Sequence, residues 1–250
     1  MVQGNSSILL QCLFLFLLAV MALMYASVGH GGASGYLAVL ALFSVDPAIM
    51  KSSALLLNIF VSLISFWQYY RGGYFHWKLF LPFALTSIPA SYLGASIPLG
   101  ADIYKKILGI CLLFPILRLA GLLGKEHDTT TPMKWLPALA IGGLIGFLSG
   151  MIGIGGGIIL SPVILLLHWA KMKETAAISA LFILVNSISG FSALFVRGFS
   201  PNPEIYGWLA AAIAGGFAGA YLGSRKLGSR PLRYILAGVL LIASIKLLMT

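Results

Sequence analysis

The sequence predicts an all-α polytopic membrane protein, a duplicated helical bundle with about eight full spans plus two short or re-entrant segments. Three observations carry this. Of the 250 residues, 60% are hydrophobic and 9% charged, a balance that excludes a soluble domain of this length. The apolar residues gather in runs of about 20, the length a helix needs to cross a bilayer. A glycine cluster, Gly150-Met151-Ile152-Gly153-Ile154-Gly155-Gly156-Gly157, interrupts them in mid-chain, and Gly29-His30-Gly31-Gly32 repeats it near the N-terminus.

The first run, Ile8 to Val28, has no Lys or Arg ahead of it, so it is expected to be a retained span and not a signal peptide. After the first glycine cluster comes a short segment, Tyr36 to Val45, closed by Asp46-Pro47. Ser53–Tyr70, Leu79–Ile97 and Ile107–Leu123 are each of spanning length. A polar linker follows, and the order then repeats. Trp135–Ile152 is long, Ile158–Trp169 is short, and Thr175–Val196, Ile205–Gly223 and Leu232–Met249 are long again. The chain therefore divides into a first membrane repeat at 1–123, a linker at 124–134 and a second repeat at 135–250.

Matches at nearly constant offset support the duplication. Displacement by 124 sets Gly29, Gly31 and Gly32 on Gly153, Gly155 and Gly156, and displacement by 126 sets Ser53-Ala54-Leu55 on Ser179-Ala180-Leu181. If the short segments only re-enter, each half crosses four times and the halves are parallel. If they cross, ten spans form two inverted five-helix repeats. Lys105 and Lys106 correspond to Arg225, Lys226, Arg230 and Arg233, and parallel halves put both clusters on the cytoplasmic side. Four plus four is the preferred expectation.

The net charge of +10 sits in clusters between apolar runs, which is the pattern of membrane-side loops and excludes a nucleic-acid partner. Cys12 and Cys111 lie inside spans and form no disulfide framework. Small residues recur every fourth place in Gly142-Gly146-Gly150, Gly215-Gly219-Gly223 and Ser87-Ser91-Ala95. Such stripes let helices approach closely in lipid, and they permit lateral association into a homo-oligomer.

Chemistry is expected at the glycine clusters. Glycine costs about 1 kcal/mol against alanine in a helix, so such a cluster at membrane depth marks a break. A helix restarting after it presents free N–H donors and about half a positive charge, a ready anion site. Gly29, Gly31, Gly32, Gly153, Gly155, Gly156 and Gly157, with Ser34, are the candidate substrate-binding residues. His30 either donates to an anion or relays a proton, or else is a neutral histidine bonded to backbone. Asn58 and Asn186, both mid-span, either line a pathway or bond between helices. Asp46, Asp102, Glu126, Asp128, Glu174 and Glu204 fall in loops or at span ends. Without a carboxylate at midspan, a pump built on one is disfavoured, and the small partner is expected to be an anion. No catalytic residue, metal or cofactor is expected.

The paired loops and the absent carboxylates resemble the sulfite exporter TauE/SafE family of membrane permeases over nearly the whole chain. The clearest match is Gly150 to Pro162, where the glycines run into an apolar segment with proline. Val28-Gly29-His30-Gly31-Gly32 matches with Ala33 and Ala38 in place of the third glycine and the proline. The resemblance implies a multi-pass cell-membrane protein moving a small sulfur-containing anion such as sulfite or a sulfonate. Two other classes compete. Gly32-Ala33-Ser34-Gly35 fits the Gly-Xaa-Ser-Gly pattern of intramembrane serine proteases, with His168 or His76 as base. A non-transporting structural or receptor subunit is the other, although no sizeable extramembrane domain is present to serve it.

Overall fold

The computed structural model describes residues 8–122, 129–199, 201, 203–225 and 230–249, and these form ten helices and no strand. The helices are α1 (Ile8–Ala26), α2 (Ala33–Leu42), α3 (Pro47–Arg71), α4 (Trp77–Ser96), α5 (Ala101–Leu119), α6 (Trp135–Ile152), α7 (Gly157–Leu166), α8 (Met172–Val196), α9 (Ile205–Arg225) and α10 (Arg230–Met249). Among the described residues six helices, α1, α3, α4, α6, α8 and α9, are long and apolar enough to cross a membrane. The expected count of eight is not reached on this basis. α5 carries Asp102, Lys105, Lys106 and Arg118 within 19 residues. Leu136, Leu144, Ile110, Phe217 and Ile242 are exposed, as lipid-facing residues are. The chain is a multi-pass membrane protein.

Glycine stripes set the closest crossings. Gly142, Gly146 and Gly150 of α6 lie against Phe83, Ser87 and Ser91 of α4, with no room for a Cβ between the backbones. Gly215, Gly219 and Gly223 of α9 meet the carbonyls of Ala19, Leu23 and Ser27 of α1 in the same way. Both stripes are consumed inside the chain, so they carry no argument for lateral association.

These contacts also give directions. Rising numbers on α4 meet rising numbers on α6, so the pair is parallel, and α1 and α9 are likewise parallel. α3 and α8 run antiparallel. Leu55 near the start of α3 faces Gly190 near the end of α8, and Tyr69 at the end of α3 packs on Ala176 and Ala177 at the start of α8. α5 and α10 are antiparallel too, with Lys105 and Leu247 lining one cavity and Ser244 donating to the Gly109 carbonyl at 2.8 Å. α3 corresponds to α8 and α5 to α10 under the sequence offset, and corresponding helices that run oppositely belong to inverted halves. This corrects the preference for parallel halves.

The inversion follows from how the short segments travel. α1 and α3 run the same way, since Ala19 and Val61 both meet the Gly215–Gly216 step of α9 and the Tyr69 hydroxyl donates to the Ser27 carbonyl at 2.9 Å. Between them the chain must return across the bundle. The loop at 27–32 covers one half of that depth, and α2, whose ten residues rise about 15 Å, covers the other. Loop 153–156 and α7 do the same in the opposite direction. One face of the bundle thus holds residues 129–134 and the ends of α1, α3 and α9, here called the linker face. The other holds the start of α1 and the end of α10, here called the terminal face. Of the predicted linker, residues 123–128 lie outside the described residues, as does Lys226. Thr131 ties the described part to α7, its N–H donating to the His168 carbonyl at 2.7 Å.

Candidate functional site

Both glycine loops end where a helix begins. α2 starts after Gly32 and α7 after Gly156, and each N-cap glycine is in the left-handed region, φ 96° and 77°. Neither receives a side-chain capping bond. The first N–H groups of both helices are therefore of the kind that has no partner within the helix. Because the halves are inverted, the two starts approach each other from opposite faces, at the depth of Asn58 on α3.

Asn58 joins the two loops. A Cβ built on Gly31 would stand 2.6 Å from its Oδ1, and one built on Gly155 would stand 2.8 Å from its Nδ2. The same two glycines, and Gly157, press on Ile183 of α8. Asn58 is wholly buried, and among the described residues neither Oδ1 nor Nδ2 has a hydrogen-bond partner. Such a group costs about 1–3 kcal/mol in desolvation. Ser65 Oγ on α3, and Thr175 Oγ1, Ser187 Oγ and Asn186 Oδ1 on α8, are also buried and, among the described residues, without partners.

The remaining predicted residues divide. Gly29 abuts Ala176 and Gly153 abuts Lys51, so these two anchor the outer ends of the loops. Gly32 and Gly156 turn the chain into the helices, with Tyr36, and Phe182 and Ile145, where a side chain would go. Asn186 spends its Nδ2 on the Phe182 carbonyl at 2.8 Å within α8, while Ser91 of α4 donates to its backbone carbonyl at 2.9 Å. It bonds mainly within and between helices, and only Oδ1 is left over.

The His30 ring is engaged at both nitrogens. Nδ1 lies 2.9 Å from the Val28 carbonyl, and Nε2 lies 2.9 Å from Oγ of Ser161 on α7. Ser161 Oγ is in turn 2.6 Å from Ser179 Oγ on α8. A carbonyl only accepts, so in the neutral ring Nδ1 carries the proton and Nε2 accepts from Ser161. Ser34, the candidate nucleophile of the hydrolase alternative, instead donates to the Tyr25 hydroxyl at 2.9 Å. The alternative bases lie elsewhere: His76 is beside Glu174, and the His168 carbonyl holds the linker. Among the described residues no nucleophile–base pair forms on Ser34.

One residue was missed. Lys51, which the sequence does not single out, lies one turn inside α3, is only 9% exposed, and donates to the Ala95 carbonyl of α4 at 3.1 Å. The signal was available: Asp46 and Pro47 are a helix N-cap and first-turn proline, and the Asp46 side chain accepts from the Ala48 N–H at 2.8 Å.

A model of the family described as Sulfite exporter TauE/SafE matches residues 13–247. A probable membrane transporter protein, y4hK of Sinorhizobium fredii, is 40% identical over 92% of this chain and 94% of its own. YunE of Bacillus subtilis, also a probable membrane transporter protein, is 26% identical over 82% of both chains. MJ0441 of Methanocaldococcus jannaschii, of the same description, is 28% identical over 67% of this chain and 63% of its own. No solved structure matches.

Proposed function

The chain belongs to the sulfite exporter TauE/SafE family, and we propose that it moves a small sulfur-containing anion through a site formed by the two glycine loops and Asn58. It is a membrane transporter and not an enzyme. The observation that carries the site is Asn58, whose unpartnered amide touches Gly31 with one end and Gly155 with the other. An oxyanion would take a hydrogen bond from Nδ2 and from the first N–H groups of α2 and α7, and both helix dipoles would stabilise its charge. The glycines let a ligand of a few heavy atoms reach those donors. Small substrates and paired helix starts near the midplane also fit the general plan of inverted-repeat transporters.

In this reading the repeats at 1–123 and 135–250 cross the membrane five times each, each short helix with its loop making one crossing. Orientation follows from charge. Of the Lys and Arg within the described residues, nine lie toward the linker face, among them Arg71, Lys78, Lys134, Lys171 and Lys173, and five toward the terminal face. The positive-inside rule puts the linker face in the cytoplasm and both termini outside. The anion passes along the α3–α8 seam, whose unpartnered hydroxyls at Ser65, Thr175 and Ser187 supply replacement hydrogen bonds for lost water.

The test is flux in proteoliposomes of purified protein against sulfite, sulfate, thiosulfate and methanesulfonate. Movement of one or more of these supports the reading. Inertness to all four, with movement of a metal cation, would overturn it.

A further inference from the structure

Lys51 is a cation inside the bundle that the site described above does not use. Its stem lies beneath the second glycine loop, where a Cβ on Gly153 would be 3.2 Å from its Cγ, and its ammonium reaches α4. The position is the junction of α3, α4, α8 and the loop on the terminal-face side: Gly190 of α8 abuts Leu55, Ser91 and Ala95 there. An ammonium has three donors, and Ala95 accepts one. Among the described residues Lys51 has no carboxylate partner. The Asp46 carboxylate is turned to the Ala48 N–H, and Arg197, the C-cap of α8 at this same end, adds positive charge. Burying a charge without a counter-charge is costly, and an ionisable side chain at membrane depth marks a pathway by default.

Lys51 also lies on the same face of α3 as Asn58. Positions 51, 55, 58, 62, 65 and 69 repeat at intervals of three and four, and all six are buried. Leu55 and Tyr69 of this stripe face α8, and Asn58 stands about 10 Å beyond Lys51 along the axis.

We propose that Lys51 is an anion-binding residue, the charged end of the α3–α8 seam, where an entering or leaving small oxyanion supplies the missing negative charge before it reaches Asn58 or after it leaves. This rests on the anion-transport reading and gives it a second, outer site. The chemistry asks for a compact monoanion or dianion with at least two oxygen acceptors, one for the ammonium and others for the N–H groups of the loop. A neutral solute or a cation gains nothing from Lys51.

The experiment is thermal unfolding of purified protein at constant ionic strength with sodium sulfite, thiosulfate, methanesulfonate, phosphate or chloride. It compares wild type with Lys51→Met and Lys51→Arg. A ligand that binds only the folded state raises the melting temperature. The expected result is stabilisation of wild type by a sulfur oxyanion, its loss in Lys51→Met through binding weaker by about tenfold or more, and its retention in Lys51→Arg. A role confined to capping the end of α4 would lower the melting temperature of Lys51→Met and leave the response to anion unchanged, which overturns the proposal. Stabilisation by phosphate or chloride alone, lost in Lys51→Met, supports the Lys51 site and sinks the sulfur-anion reading. If no anion stabilises wild type, the Lys51 site falls.

Discussion

Nε2 of His30, in the first glycine loop, lies 2.9 Å from Oγ of Ser161, 131 positions further on in α7. This bond joins the two halves beside the proposed site. In the neutral ring Ser161 donates to Nε2. A protonated ring must donate instead, and the Ser161 hydroxyl then turns to the Gly157 carbonyl, already 2.9 Å away in the first turn of α7. Protonation of His30 thus changes which groups are bonded at the start of α7.

His30→Ala should therefore flatten the pH dependence of flux, because the imidazole is the group here whose protonation changes the bonding at the start of α7. The order of anion preference should stay the same, because the Asn58 amide and the helix starts remain. The measurement is the initial rate in proteoliposomes at a series of pH values for two anions. A changed preference with an unchanged pH profile would assign His30 to selectivity.

Topology gives a second prediction. Lys105 stands in the first turns of α5 on the terminal face, and Arg230 begins α10 on the linker face. Single cysteines at these positions, in a chain with Cys12 and Cys111 replaced by serine, should label from opposite sides of intact cells, Arg230→Cys from the cytoplasm. Labelling from one side would restore parallel halves.

Most of the architecture was legible because apolar runs report helices at about 1.5 Å per residue. The direction of the halves was not. Ten-residue helices fall far short of the roughly 30 Å hydrocarbon core, so the short segments read as re-entrant. Loops 27–32 and 153–156 supply the missing depth in non-helical backbone, whose rise no hydropathy count measures. Within the proposed site, the glycines and Asn58 stand out in the sequence by type and position. Asn186 was paired with Asn58 as a mid-span amide, but the two lie two residues out of register at the Ser53–Ser179 offset, and only Asn58 reaches both loops. Lys51 was hidden by placing the start of α3 at Ser53 instead of Pro47.

The glycine stripes give a third prediction, about stability. A Cβ on Gly219 collides with the Leu23 carbonyl, whereas one on Gly238 of α10 meets nothing within 4 Å. Gly219→Ala should lower the melting temperature and yield, since α1 and α9 must move apart. Gly238→Ala should raise stability by about 0.5–1 kcal/mol, the ordinary helical gain of alanine over glycine. Thermal unfolding in detergent separates them. Equal effects of the two would show that close approach at Gly219 does not matter.

The most direct test of the site is Asn58→Leu, with flux and melting temperature measured on the same preparation. Leucine keeps the branching and the four side-chain heavy atoms of asparagine, with larger methyl ends in place of the amide. Among the described residues the Asn58 amide gives up no hydrogen bond, so removing it should leave stability unchanged or raise it by about 1–3 kcal/mol, the cost of an unsatisfied buried polar group. The account predicts that anion flux is lost in a protein at least as stable as wild type. Normal flux through Asn58→Leu would contradict it.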